Sequence, residues 1–144
     1  MSNCIFCSFS KDKKLIPDQF LSEDRDSFVM LSLNPQTEGH LLVIPKRHFS
    51  KLSEMEDLAG LLFNKAITQG EILKKNLKAK AFVIKVNNEL YKLESGKGHI
   101  GHIHIHVIPR YKAGEVLADI PEKAPVTVLK SVQGRLLGSD RIKP

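Results

Sequence analysis

His102-Ile103-His104-Ile105-His106-Val107-Ile108-Pro109-Arg110 alternates imidazole with aliphatic side chains as far as Val107. A β-strand sends successive side chains to opposite faces. Read as a strand over 102–108, closed by Pro109, the stretch places three imidazoles on one face. Ile103, Ile105 and Val107 then point the other way, toward a core. Alternate residues stand roughly 6.5–7 Å apart along a strand. Imidazoles at that spacing can hold a metal, line a phosphate pocket, or divide those tasks. One histidine on a strand is usually just a polar position. Three in strict alternation, beside a loop bearing Gly96, Gly98 and Gly101, point to a site.

Working outward from that strand, residues 88–101 read as a loop and Ala81 to Asn87 as another core strand. Before it, Leu58, Leu61, Leu62, Ala66, Ile72, Leu73 and Leu77 recur at helical spacing. They predict one long amphipathic helix over 54–78, weakened locally by Gly60 and Gly70. Ser53-Glu54-Met55-Glu56 has the pattern of a capping box at its start. Residues 27–33 and 40–45 are apolar runs flanking the turn-forming Asn34-Pro35-Gln36-Thr37-Glu38-Gly39, which predicts a hairpin. Residues 15–23 are an edge strand by reason of Pro17. One further strand is expected at Val126 to Leu129. Strands, one helix, then strands again argue for an α+β domain with a mostly antiparallel five-stranded sheet. Residues 1–111 form the domain in this reading, and 112–144 form a C-terminal extension.

The composition is that of a folded domain: 144 residues, 42% hydrophobic and 26% charged. No apolar run approaches the roughly 20 residues that span a bilayer. The N-terminal residues lack the pattern of a secretory signal, so a cytoplasmic location is expected. The formal charge of +6 favours anionic partners. Without a dense basic run or interleaved aromatics, dedicated nucleic-acid binding is not expected. No glycine-rich dinucleotide or P-loop fingerprint is present. Cys4 and Cys7 are the only cysteines. Two thiols at that spacing in a reducing compartment suggest metal or redox chemistry. Their place at the N-terminus, rather than between a strand and a helix, favours half of a metal site.

Two chemistries fit the three imidazoles. They could form a three-histidine zinc centre of the hydrolytic kind. Alternatively, one could attack phosphorus as a nucleophile, since neutral imidazole is abundant near pH 7.

The stretch His102 to Arg110 resembles the His-φ-His-φ-His-φ-φ signature of the histidine-triad (HIT) nucleotide hydrolases and transferases. Phe28 to Leu33, Asn34-Pro35-Gln36 and His40-Leu-Leu-Val-Ile-Pro-Lys-Arg-His48 are similar to that family's nucleotide-binding hairpin. The amphipathic helix and Val86-Asn87-Asn88 fall in family order, and Cys4-Ile-Phe-Cys7 is similar to the start of its zinc-bearing members. The resemblance covers about residues 3–111. It implies attack on the α-phosphorus of a nucleotide, through a covalent nucleotidyl-histidine. Substrates of dinucleoside polyphosphate or phosphoramidate type are implied, with a purine base. His104 matches the nucleophile, and His106 matches the third triad member, which contacts phosphate. Cys4, Cys7, His48 and His102 match a structural zinc site. His40 matches a supporting histidine, and Asn34 lies in the nucleotide-binding turn. Asn87 or Asn88 matches an asparagine near phosphate. Ser32 stands where many members carry a ribose-binding Asp. His99 stands where they carry a hydroxyl donor, and it could act as a general acid or be a solvated loop residue. A homodimer is implied as well. Non-catalytic nucleotide binding is the alternative to enzymatic function.

Overall fold

The computed structural model describes residues 4–93, 100–117 and 123–142. Five strands form one sheet: β1 (Phe20–Glu23), β2 (Ser27–Leu31), β3 (Leu41–Pro45), β4 (Ala81–Val86) and β5 (Ile105–Arg110). Their order is β1-β2-β3-β5-β4, and every hydrogen-bonded pair is antiparallel. The expected α+β architecture is therefore present. Helix α2 (Glu56–Leu77) carries the chain from β3 to β4, on the far side of β5.

β2 and β3 are buried at every position, because both faces of the sheet are covered. Val29, Leu31, Leu41, Val43, Ile105 and Val107 face α2. Phe28, Met30, Leu42 and Ile44 face the other way, against Phe6 and Phe9 of helix α1 (Ile5–Lys11) and Ile16. The continuous apolar runs seen in sequence are those of strands buried on two sides. Leu42 is the register partner of His106, so the imidazole face is the α1 face.

Two glycines let elements approach. A Cβ on Gly70 would lie 2.4 Å from the Phe82 ring, so Gly70 allows α2 to sit down on β4. Gly39 has φ +96°, and a Cβ there would lie 2.4 Å from Leu77. Only glycine fits that position, which sets up the entry to β3.

Several expectations change. Residues 126–129 are not a strand: they open helix α3 (Val126–Ile142), with a non-helical Gly138. Val126 and Val128 favour strand locally, but Leu129, Val132 and Leu136 recur at helical spacing and are buried in the core on the α2 side. β5 begins at Ile105, so His102 and His104 precede the ladder, and the strand runs through Pro109 to Arg110. The 15–23 stretch is a strand only from Phe20; a 3₁₀ turn occupies Lys13–Leu15. β1 does lie at a sheet edge. The lead contains α1, which was not anticipated. Ser53 caps nothing, because a 3₁₀ turn over Leu52–Met55 precedes α2. There the Glu54 carboxylate accepts from the Ser50 amide at 2.9 Å.

Candidate functional site

His102 is 1% exposed. Its Nε2–H donates to the Pro45 carbonyl at 2.8 Å, which leaves the lone pair on Nδ1. That atom lies 3.2 Å from Cys4 Sγ and 3.6 Å from Cys7 Sγ. His48 Nδ1, from the segment after β3, lies 3.4 Å from Cys7 Sγ. The four donor atoms all fall within 4.8 Å of one another. Cys4 also caps α1, its sulfur accepting from the Cys7 amide at 3.4 Å. Burial holds the His102 imidazole down at about 4, against a weaker pull upward from the Pro45 carbonyl, so it is neutral and able to ligate. Burial and the adjacent Cys4 push the Cys7 thiol up. A dication would invert that preference and favour the thiolate.

These residues fit a metal ion. Two sulfurs and two imidazole nitrogens converge, and a tetrahedron with metal–ligand bonds of about 2.0–2.3 Å has edges of roughly 3.5 Å. His102 is oriented from behind by a backbone carbonyl, as metal-binding imidazoles usually are.

The other two triad imidazoles receive their tautomers from different partners. The His104 Nδ1–H donates to the His102 carbonyl at 2.9 Å, which puts the lone pair on Nε2. The Gln36 amide donates to His40 Nδ1 at 3.0 Å, so His40 carries its proton on Nε2. From there it donates to His106 Nδ1 at 2.9 Å. His106 must then carry its own proton on Nε2. The His104 and His106 rings lie 5.0 Å apart between centroids. A nucleophilic nitrogen thus stands beside a hydrogen-bond donor. With His102 turned to the thiols on one edge and to Pro45 on the other, it has no nitrogen for a three-histidine centre with His104 and His106.

The remaining candidates separate. Asn87 lines a small pocket with His104, Ser50 and Tyr91. Asn88 does not face it: its carbonyl oxygen accepts from the Leu52 amide at 2.8 Å, ahead of α2. Ser32 Oγ accepts from the Asn34 amide at 3.2 Å, which ties those two into one turn. Ser32 and His40 also border an open cavity of about 90 Å³ that Val128 and Leu129 of α3 line from the other side. His99 lies outside the described residues. Sequence reasoning missed Phe6, whose ring lies 5.1 Å from that of His104. An aromatic inside a Cys-x-x-Cys spacer was the available signal.

A polarised imidazole pair beside a Cys/His cluster, on one face of an antiparallel sheet, defines a class that comparison with known proteins makes specific. The HIT domain profile matches residues 13–113. An uncharacterised HIT-like protein of Methanocaldococcus jannaschii is 31% identical over 140 residues, which cover 91% of this chain and 99% of that protein. The adenosine 5'-monophosphoramidase of Schizosaccharomyces pombe is 33% identical over 115 residues, covering 75% of this chain and 74% of that enzyme. A zinc-bound histidine-triad protein from Mycobacterium smegmatis has the same fold, with TM-score 0.74 at 23% identity over 98% of both chains. The chain belongs to the HIT family.

Proposed function

We propose that the protein is a nucleotide hydrolase or nucleotidyl transferase acting at the α-phosphate through a covalent nucleotidyl-His104. The observation that carries this reading is the pair of tautomers, with a lone pair on His104 Nε2 and a proton on His106 Nε2. His104 attacks phosphorus, the P–N bond forms, and the bond to the leaving group breaks. The imidazolium this creates keeps its Nδ1–H on the His102 carbonyl, which offsets the new charge. His106 Nε2–H donates to a phosphoryl oxygen. Water then attacks phosphorus, the P–N bond breaks, and His104 recovers its lone pair while the proton leaves to solvent. Relatedness to an adenosine 5'-monophosphoramidase supports a purine phosphoramidate as substrate; a dinucleoside polyphosphate is the second substrate class of this reading.

Asn87, rather than Asn88, is the phosphate-side asparagine in this reading, because it shares a pocket with His104. Ser32 and Asn34 serve the sugar side. His99 retains its proposed role as acid to the leaving group. The Cys4, Cys7, His48, His102 cluster is assigned to zinc, since two thiolates and two imidazoles form a closed structural site. When bound, the ion supplies a fixed charge and a cross-link, with no open position for chemistry. Residues 1–111 form the catalytic unit and 112–144 an extension, whose α3 packs against α2. The chain is a cytoplasmic homodimer in this proposal; among the described residues, no helix is long and apolar enough to cross a membrane.

The test is to quench the protein with adenosine 5'-phosphoramidate on the millisecond to second scale and to map the modified peptide by mass spectrometry. An adenylyl group on His104 is expected. Turnover with no adduct at any quench time, or with the adduct on another residue, overturns the assignment.

A further inference from the structure

Phe6 lies inside the Cys4-Ile5-Phe6-Cys7 spacer and is 4% exposed. Its ring meets two imidazoles edge-on. His102 is 5.7 Å away between centroids with 83° between planes, and His104 is 5.1 Å away with 63°. One side chain therefore touches a member of the Cys/His cluster and the imidazole read as nucleophile. Helix α1, which carries Phe6, is capped by Cys4 and begins within the cluster.

The torsion that turns an imidazole about its Cβ–Cγ bond is soft. The bond from His104 Nδ1 to the His102 carbonyl fixes one edge of the ring but still allows it to hinge about that bond. The His106 ring supplies one contact against that swing, and Phe6 supplies another. In-line attack needs the Nε2 lone pair aimed at phosphorus from roughly 3–3.5 Å, a geometry that a loosely held ring seldom reaches.

We propose that Phe6 is a positioning residue for the His104 imidazole, and that the Cys4–Cys7 pair, by fixing α1, holds Phe6 in that role. The proposal rests on the reading of His104 as nucleophile. It makes the Cys/His cluster a determinant of the rate as well as an anchor for the N-terminal helix, with one aromatic ring as the connection.

The test compares metal-loaded wild type, Phe6→Leu and Phe6→Tyr. The readouts are metal per chain, single-turnover adenylylation of His104, KM, and the ¹⁵N spectrum of the imidazoles at one fixed pH. Leucine fills much of the space without a plane. Phe6→Leu is expected to keep its metal and a KM within twofold of wild type. Adenylylation should slow about tenfold, and the His104 ¹⁵N signals should move away from the single Nδ1–H tautomer. Phe6→Tyr, which keeps the ring, should return to within threefold of wild type. A Phe6→Leu rate within twofold of wild type with an unchanged His104 spectrum overturns the proposal. So does a raised KM at unchanged rate, which would make the ring a wall of the nucleotide pocket. Phe6→Tyr as slow as Phe6→Leu overturns it too. If Phe6→Leu does not fold, the wild-type spectrum before and after chelation decides. His104 signals that ignore loss of the metal overturn the proposal; signals that move while His102 keeps its Nε2–H tautomer on Pro45 support it, because the change then reaches His104 by way of Phe6 rather than through the His102 carbonyl. Wild-type protein that forms no adenylyl-histidine overturns the nucleophile reading instead, and the spectra still report whether Phe6 orients the ring.

Discussion

Pro45 and His102 carbonyls and the Gln36 amide set the tautomers of His102, His104 and His40, and through His40 that of His106. Side-chain changes at Pro45 or Gln36 leave these backbone groups in place, except that Gln36→Pro would remove the amide that sets His40. His104→Ala should fold normally and lose at least a thousandfold in turnover, because the covalent path is gone. Steady-state kinetics on protein with unchanged circular dichroism checks it, and residual activity above a tenth of wild type refutes it. The two asparagines give a sharper contrast. Asn87→Ala should lower kcat with little change in stability, since Asn87 shares the His104 pocket. Asn88→Ala should instead cost about 1 kcal/mol of stability, because the Leu52 amide loses its acceptor, and should leave kcat nearly unchanged. Denaturant melts and kinetics on both variants would expose a reversed assignment.

At the scale of elements, the close approach of α2 to β4 depends on Gly70. Ala at Gly70 would gain about 1 kcal/mol of helix propensity, but its Cβ would lie 2.4 Å from the Phe82 ring. Displacing that packed ring costs about 1–3 kcal/mol, so Gly70→Ala should destabilise on balance. A melting temperature above that of wild type would show that α2 and β4 part easily. The docking of the 102–104 segment depends on pH. His102 holds its proton only below about 4 when folded, because of burial, against a reference of 6.5 when unfolded. Between those values the unfolded chain binds a proton that the folded chain refuses, so stability falls as pH drops from 6.5 toward 4. For metal-free protein that loss amounts to at most about 3 kcal/mol. Bound metal should steepen it, since protons compete with the ion for the same nitrogen. Urea midpoints measured with and without chelator across that range test both statements. A flat profile would mean that His102 becomes solvated once the metal leaves.

At the scale of the whole molecule, α2 exposes Phe63 and Ile67, one turn apart, and β4 forms one edge of the sheet. An apolar helix face next to an edge strand is expected to pair with a second copy. Light scattering at micromolar concentration should give twice the chain mass, and Phe63→Glu should shift it toward one chain. A wild-type mass equal to one chain would refute the dimer. The alternating histidines, the two-residue cysteine spacing and the long helical period were all legible in the chain. Each is a local pattern whose meaning follows from backbone geometry, which is why the sheet and α2 could be anticipated; His48 and His102 joined the cysteine pair only through the family resemblance, and the fold brings the four within reach of one ion. α3 was not, because Val126 and Val128 suggest strand in a short window. The longer period of Leu129, Val132 and Leu136 matters only once the sheet offers a surface to cover. Nor could residue order choose between Asn87 and Asn88: the Leu52 amide donates to the Asn88 side chain, and Asn87 is left to line the pocket with His104. The sequence by itself determined which residue types could do chemistry here. Tertiary structure alone decided where each imidazole keeps its proton, because the groups that set it are main-chain carbonyls and an amide, which almost every residue carries and no side-chain pattern singles out.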